Sequence, residues 1–322
     1  MIFTDKIKIK PTIYYVSFIV LILSSILLGC SGSNKTPADT EVNVTSTDAS
    51  GIRDNTPVVL VPQYNEDKSF GNEYINIDSS NSNEGYIYAS YLMDRERVKL
   101  QISGNNGITY TYNLYPGRQA VIPLTAGSGA YSLTAYENIS GDEYALVFAT
   151  DLTVDITNEL GPFLYPNEYV AFSEDSSVVA VAKQIVTGDS CDLDAVADVY
   201  DYVIKNITYD YEKAETVPTG YIPDVDEIFE IKTGICFDYA ALMAAMLRSQ
   251  RIPTRLEIGY ANDAYHAWIS VYTDDQGWIN NIIQFDGTSW TLLDPTFAAN
   301  NSDSSLKKLI GNGTEYNTMY TY

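Results

Sequence analysis

The sequence predicts two domains in tandem, an all-β sandwich followed by an α+β domain, after a short N-terminal leader. Three observations carry this. Residues 57–158 hold short runs rich in Tyr, Val, Ile and Thr, cut by Gly- and Pro-containing turns, which is strand spacing. Helical periodicities take over beyond Gly161-Pro162 and Pro166, and alternating strands follow beyond Ile252-Pro253. At 322 residues the chain has room for both units.

The first 29 residues are set aside as a targeting segment. Lys6, Lys8 and Lys10 precede an apolar stretch from Ile13 to Leu28, which is short for a membrane span of about 20 residues. Leu27-Leu-Gly-Cys30 resembles the lipobox of exported bacterial lipoproteins, which implies lipidation (palmitate) of Cys30 and an anchor in the cell membrane facing outside. An uncleaved signal anchor is the alternative. Residues 30–56, rich in Ser, Thr, Asn and Asp, are expected to form a disordered tether.

Strands are expected at Tyr86–Leu92, Val98–Ile102, Ile108–Leu114, Ala120–Leu124, Tyr131–Tyr136 and Tyr144–Val154. Six or seven strands at this spacing suggest a sandwich of immunoglobulin-like size over residues 57–160. Its tyrosines suit half-buried strands, and a tyrosine-lined binding face is the other reading. The region carries no catalytic cluster and reads as an accessory unit.

In the second domain, residues 165–322, Ser173–Ser176 is expected to cap a helix running to about Val186. A second helix spans Asp192 to Lys205, with Leu193, Val196, Val199, Tyr200 and Val203 along one side. Residues 211–223 show no clear element, and Asp224–Ile231 reads as a helical turn. Gly234 allows a sharp turn before Cys236. From Cys236 to Leu247 the chain is rich in Ala, Leu and Met, with Cys236, Ala240, Met243 and Leu247 on one helical face. Cys236 thus lies in the first turn, where free N–H groups and the helix dipole favour a thiolate and a lowered pKa. A lone Cys there reads first as a small buried hydrophobe.

The only histidine, His266, lies thirty residues beyond Cys236 in Ala264-Tyr-His-Ala-Trp-Ile-Ser-Val271, after a strand at Arg255–Tyr260. Alternation puts His266, Trp268 and Ser270 on one face of its strand. If that face packs on the cysteine helix, His266 can reach the thiol and Trp268 can shield it. A poorly patterned insert, 273–287, precedes a strand at Trp290–Leu293 and then Asp294-Pro-Thr. Thiol catalysis needs a thiolate, an imidazole to carry the proton and a group that orients the imidazole.

Gly-x-Cys-x-x-Tyr-Ala, then His-Ala-Trp, then Leu-Asp-Pro-Thr, in that order, resembles the transglutaminase-like superfamily, a rearranged relative of the papain fold. Asn206-Ile-Thr-Tyr-Asp210 is similar to the segment that precedes the cysteine helix there. The resemblance covers roughly residues 170–300. It implies Cys236, His266 and Asp294 as a catalytic triad, with acyl transfer through a thioester on a peptide, protein or cell-wall substrate. Tyr209 and Trp268 are candidates for substrate contact, and Tyr209 by position for a second oxyanion donor beside the Cys236 N–H. Hydrolysis is favoured over cross-linking, and the alternative is a silent binding module.

The net charge of −23 becomes −25 once the leader's three lysines and one aspartate are removed, with no basic patch, which disfavours nucleic acid as a partner. Of the remaining cysteines, Cys191 has no expected disulfide partner. No Cys/His cluster suggests a metal, and no cofactor is implied.

Overall fold

The computed structural model describes residues 52–95, 98–261, 264–285, 290–292 and 316–322. Within it Ala49–Tyr322 forms a single compact unit. Cys30 and Asp294 lie outside the described residues.

The N-terminal half is built from β1 (Ser69–Gly71), β2 (Ile75–Asp78), β3 (Tyr86–Tyr91), β4 (Val98–Ser103), β5 (Thr109–Leu114), β6 (Gln119–Pro123), β7 (Gly129–Ser140) and β8 (Glu143–Val154). They form two four-stranded antiparallel sheets, ordered β1-β2-β3-β6 and β5-β4-β7-β8. Alternation assigns the faces: Val98, Leu100 and Ile102 of β4 are buried, while Lys99, Gln101 and Ser103 are less so. Ile75, Ile77, Ile87 and Ile122 of the other sheet join the same cluster, so the sheets share a core as sandwich layers do. β1 and β2 were not anticipated, because at three and four residues they are too short to show a period. Tyr86, Tyr91, Tyr110, Tyr112 and Tyr131 are buried, which favours the packing reading of the tyrosines.

The second half runs α1 (Ser177–Ile185), α2 (Asp192–Asn206), β9 (Thr208–Tyr209), α3 (Tyr211–Thr216), α4 (Val225–Ile231), β10 (Thr233–Gly234), α5 (Cys236–Ser249), β11 (Thr254–Ala261), β12 (Ala264–Thr273), β13 (Gly277–Phe285), β14 (Trp290–Leu292) and β15 (Tyr316–Thr321). Strands β11 to β15 form one antiparallel sheet, ordered β14-β13-β12-β11-β15. Much of the stretch read as an insert is therefore strand β13, and the chain end supplies edge strand β15.

Helix α5 was expected to be amphipathic. Every residue from Asp238 to Ser249 is instead buried. A helix apolar on all sides belongs in a core, and here α1, α2 and α4 pack around it with β11 and β12. Ala240, Ala241, Ala244 and Ala245 are small enough to let those neighbours approach from several sides. Its last turn carries Arg248, which is buried and donates to the carbonyls of Thr254, Tyr165 and Tyr322. Burial pulls the Arg248 pKa down to about 9, so the guanidinium still carries its charge at neutral pH, held by carbonyl oxygens.

Ser176 precedes α1 as expected, but its hydroxyl does not cap the helix. It accepts the Ser173 N–H at 3.0 Å and donates to Asp226 at 2.8 Å, tying α1 to α4. The tether assignment also needs correction at its end. Arg53 donates its backbone N–H to the Asp189 carbonyl at 2.7 Å and its Nε to Asp192 at 2.6 Å. Val58 N–H reaches the Ser249 carbonyl at 2.9 Å. Low hydrophobicity hid this, since the attachments are polar.

Beside Arg53, Asp189 is pushed up to about 6, by burial first and then by Asp198 and Asp194. A raised carboxyl stabilises the fold while protonated, an effect complete below about pH 4 and lost as pH rises through 6. Asp189→Asn should therefore stabilise the protein by about 1 kcal/mol at neutral pH, after allowance for solvent screening. The gain should vanish near pH 3.5, a comparison that melting curves at the two pH values would make.

Candidate active site

The thiol is positioned by a short run of local constraints. Helix α4 ends at Lys232, which takes a left-handed conformation at φ 58°, so the sharp turn falls there and not at Gly234. Gly234 is needed for space: a Cβ on it would lie 2.6 Å from Asp238 Cβ and 2.9 Å from Asp238 Oδ2. That close approach lets the Asp238 carboxylate accept the Ile235 N–H at 2.8 Å, satisfying one of the open donors at the start of α5. β10 pairs in parallel with β9, placing Gly234 against Tyr209. Cys236 follows as the first residue of the helix.

Asp238 is wholly buried and is the hub of a polar cluster that the sequence did not reveal. Lys213 Nζ donates to its Oδ2 at 2.6 Å, and the Tyr221 hydroxyl donates to Oδ1 at 2.7 Å. Lys213 Nζ also lies 4.4 Å from the centre of the Tyr221 ring. Burial and the Asp238 charge both push the Tyr221 phenol up, so it stays a donor. The stretch 211–223, for which no element was expected, thus contains α3, capped by Asp210 accepting from Lys213 N–H, and is pinned to the start of α5. The signal was present only as Asp210 three residues before Lys213, an N-cap spacing.

Cys236 is half-buried. Burial pushes its thiol up from the ordinary value; the backbone N–H groups of Ala267 and Phe237 and the Tyr209 hydroxyl act against that rise, and the Asp238 carboxylate adds to it. The lowered pKa expected from the helix start is therefore reversed, because withdrawal from water outweighs the local donors. Alkylation of Cys236 by iodoacetamide should keep accelerating as pH rises through 9.0, with exposed Cys191 as the comparison in the same digest. A plateau already reached at about pH 6–7 would mean that a nearby cation holds the thiolate.

Tyr209 stands beside Cys236: its hydroxyl acts on the thiol, and burial and the nearby thiol push the phenol up.

β12 brings its own residues to this corner. Ala267, adjacent in sequence to His266, presents its N–H to the thiol. His266 is itself half-buried and registers opposite Gly259 of β11. Trp268 does not shield the thiol. Ala267, Ile269 and Val271 belong to the core cluster that includes α5, so the helix meets the face opposite His266, Trp268 and Ser270, and the expected packing of the His266 face on the cysteine helix is not what the structure shows. Trp268 is fully buried, gives its indole N–H to Glu257 at 3.0 Å and lies edge-on to Tyr316 at 5.0 Å. A wholly buried side chain cannot touch a substrate, which removes the contact role expected for it. Ser270 also donates to Glu257. The exposed rim beside His266 is formed by Tyr265 and Tyr260, with ring centres 5.4 Å apart.

No group of His, Cys, Asp and Glu suited to a metal ion occurs among the described residues.

Residues 179–281 match the model of the transglutaminase-like superfamily. Over 106 residues the chain is 33% identical to the uncharacterised protein YebA of Bacillus subtilis, covering 27% of this chain and 14% of that one. Over 108 residues it is 28% identical to a protein-glutamine gamma-glutamyltransferase of Pseudomonas aeruginosa, covering 28% and 14%. The chain thus spans about a seventh of the length of these curated relatives. A crystal structure of a candidate cysteine protease from Cytophaga hutchinsonii is 15% identical with a TM-score of 0.34, over 77% of this chain and 80% of that chain. The matched segment holds Cys236 on α5 and His266 on β12, is of mixed α and β structure, and is similar to transglutaminase-like domains.

Proposed function

We propose that the protein is a cysteine-dependent acyl-transfer enzyme acting on peptide or amide bonds, with hydrolysis as the outcome. The observation that carries this reading is the surroundings of Cys236. Its thiol opens a rigid helix, faces the N–H of the residue after the only histidine, and meets the Tyr209 hydroxyl. In the proposed reaction His266 takes the Cys236 proton as the sulfur attacks the amide carbonyl. His266 then returns the proton to the departing amine, leaving a thioester. Water, deprotonated by His266, attacks the thioester and releases the acid and the thiol. Asp294 is assigned to hold the imidazole in one tautomer.

The burial that pushes the thiol up fits a resting neutral thiol, with proton transfer coupled to attack. It equally favours a second reading, in which the domain binds peptides without cleaving them. Tyr209 has a specific part in the first reading. Its hydroxyl, beside the thiol, can supply a second oxyanion donor next to the Cys236 N–H.

The experiment is incubation with a glutamine-containing peptide library, with and without a primary amine, read by mass. Cleaved or deamidated peptides are expected. Amine adducts would make it a transferase, and a blank profile with retained peptide binding would make it a silent module. Cell-surface anchoring through Cys30 belongs to the same proposal: Cys30→Ser should move the protein to the soluble fraction, whereas unchanged membrane retention would favour an uncleaved anchor. Separate folding of residues 165–322 is also part of it, for which a cooperative melt of a fragment from Leu164 is the measure.

A further inference from the structure

Away from Cys236, a cleft of about 730 Å³ opens between residues 124–128, the segment 156–163 and the start of β11. Its distinctive feature is Arg255. The guanidinium carbon lies 3.6 Å from the centre of the Trp278 ring and 4.9 Å from that of Phe163. Those two rings meet edge to face, with centres 5.0 Å apart. Arg255 is therefore fixed by stacking, and its Nε is buried with no hydrogen-bond partner. Among the described residues no carboxylate lies within ion-pair distance of it. Glu257, on the same face of β11, raises the Arg255 pKa through space while burial lowers it. The carboxylate of Glu257 is committed instead to Trp268 and Ser270.

A half-buried guanidinium with an open donor is costly unless something accepts from it. The planar fork of an arginine fits a carboxylate through two parallel bonds, and stacking holds the fork ready without a further loss of side-chain freedom. The rest of the protein carries a large negative charge, so an anion is admitted only where such a cation is focused. Glu159 is exposed on the rim, where its charge opposes multiply charged anions.

We propose that this cleft is a carboxylate-binding site, with Arg255 as the anion clamp and Trp278 and Phe163 as its aromatic walls. The ligand class is a peptide carboxylate, from a chain terminus or an acidic side chain. The site lies at the opposite end of β11 from Gly259, the register partner of His266, four residues and roughly 13 Å along the strand. It does not depend on Cys236 being catalytic.

The test is calorimetric titration of the full chain with three peptides: an acetylated tri-alanine acid, its C-terminal amide, and an amidated peptide with one internal Glu. Saturable binding of the acid is expected, with the alanine amide about tenfold weaker or more. If the Glu peptide matches the acid, any carboxylate serves. If it matches the alanine amide, the terminus is read. Both results support the site.

Arg255→Met should abolish binding, and Arg255→Lys, which keeps the charge but loses the fork, should weaken it about tenfold. Cys236→Ala should leave it unchanged. Equal binding of acid and amide, no saturation, wild-type affinity in a folded Arg255→Lys protein, or loss of binding in Cys236→Ala would each overturn the proposal. The lysine variant keeps the test open if the methionine variant fails to fold.

Discussion

Replacing His266 with glutamine is expected to slow thioester formation by about 10²–10⁴-fold, the contribution typical of a positioned acid–base group. The fold should tolerate the change. His266 is half-buried on β12, and glutamine has similar reach. The melting temperature should stay within a few degrees. Because the sequence has one histidine, the variant also removes every imidazole titration from the protein. Any activity limb that comes from imidazole titration must disappear with it. Asp294→Asn should cut the rate comparably by permitting the wrong tautomer. Rapid-quench trapping of the acylated Cys236 measures both, and wild-type acylation in His266→Gln would end the acid–base assignment.

The second large effect is expected at Asp238. Its carboxylate holds the Ile235 N–H, the Lys213 ammonium and the Tyr221 hydroxyl at once. Asp238→Ala leaves a backbone donor and a partly buried cation without their acceptor, and breaking one side of such a pair costs about 3–5 kcal/mol. Lys213 is 26% exposed, so water can reach it and the lower end applies. In a protein of this size that is a fall of about 5 °C in melting temperature. Lys213→Met alone should cost less, and the double variant should cost less than the two changes summed, since they share one interaction. Additive losses in that cycle, read by thermal and urea unfolding, would show that the cluster is not coupled. Activity should fall with stability in Asp238→Ala, because the same carboxylate sets the start of the helix that carries Cys236.

How far the sequence could be read follows from which forces act locally. The Cys236 helix, the His266 strand and the sandwich strands were legible because each rests on a period or a turn within about a dozen residues. The face of β12 was not. Alternation separated Trp268 from Ala267, but which set meets α5 depends on where α5 lies, a tertiary fact. Arg255 read only as the start of a strand, because its partners Phe163 and Trp278 are distant in the chain. The thiol pKa was misjudged for a related reason. A helix start is visible in sequence, whereas the depth of burial that outweighs it is not. The Lys213–Tyr221–Asp238 cluster was hidden in a stretch without apolar period, where polar residues carry the structure.

The strap at residues 53–58 has a mechanical consequence. Arg53 is fastened to Asp189, Asp192 and Gln250, and Arg251 reaches back to the carbonyls of Thr56 and Asp54. A pull on the chain ahead of Ile52 would load these bonds together, before any sandwich strand is strained. The strap therefore works as a strain relief: tension arriving from the N-terminal side is delivered to the connection between α1 and α2 and to the end of α5, and β1 to β8 are left outside the load path.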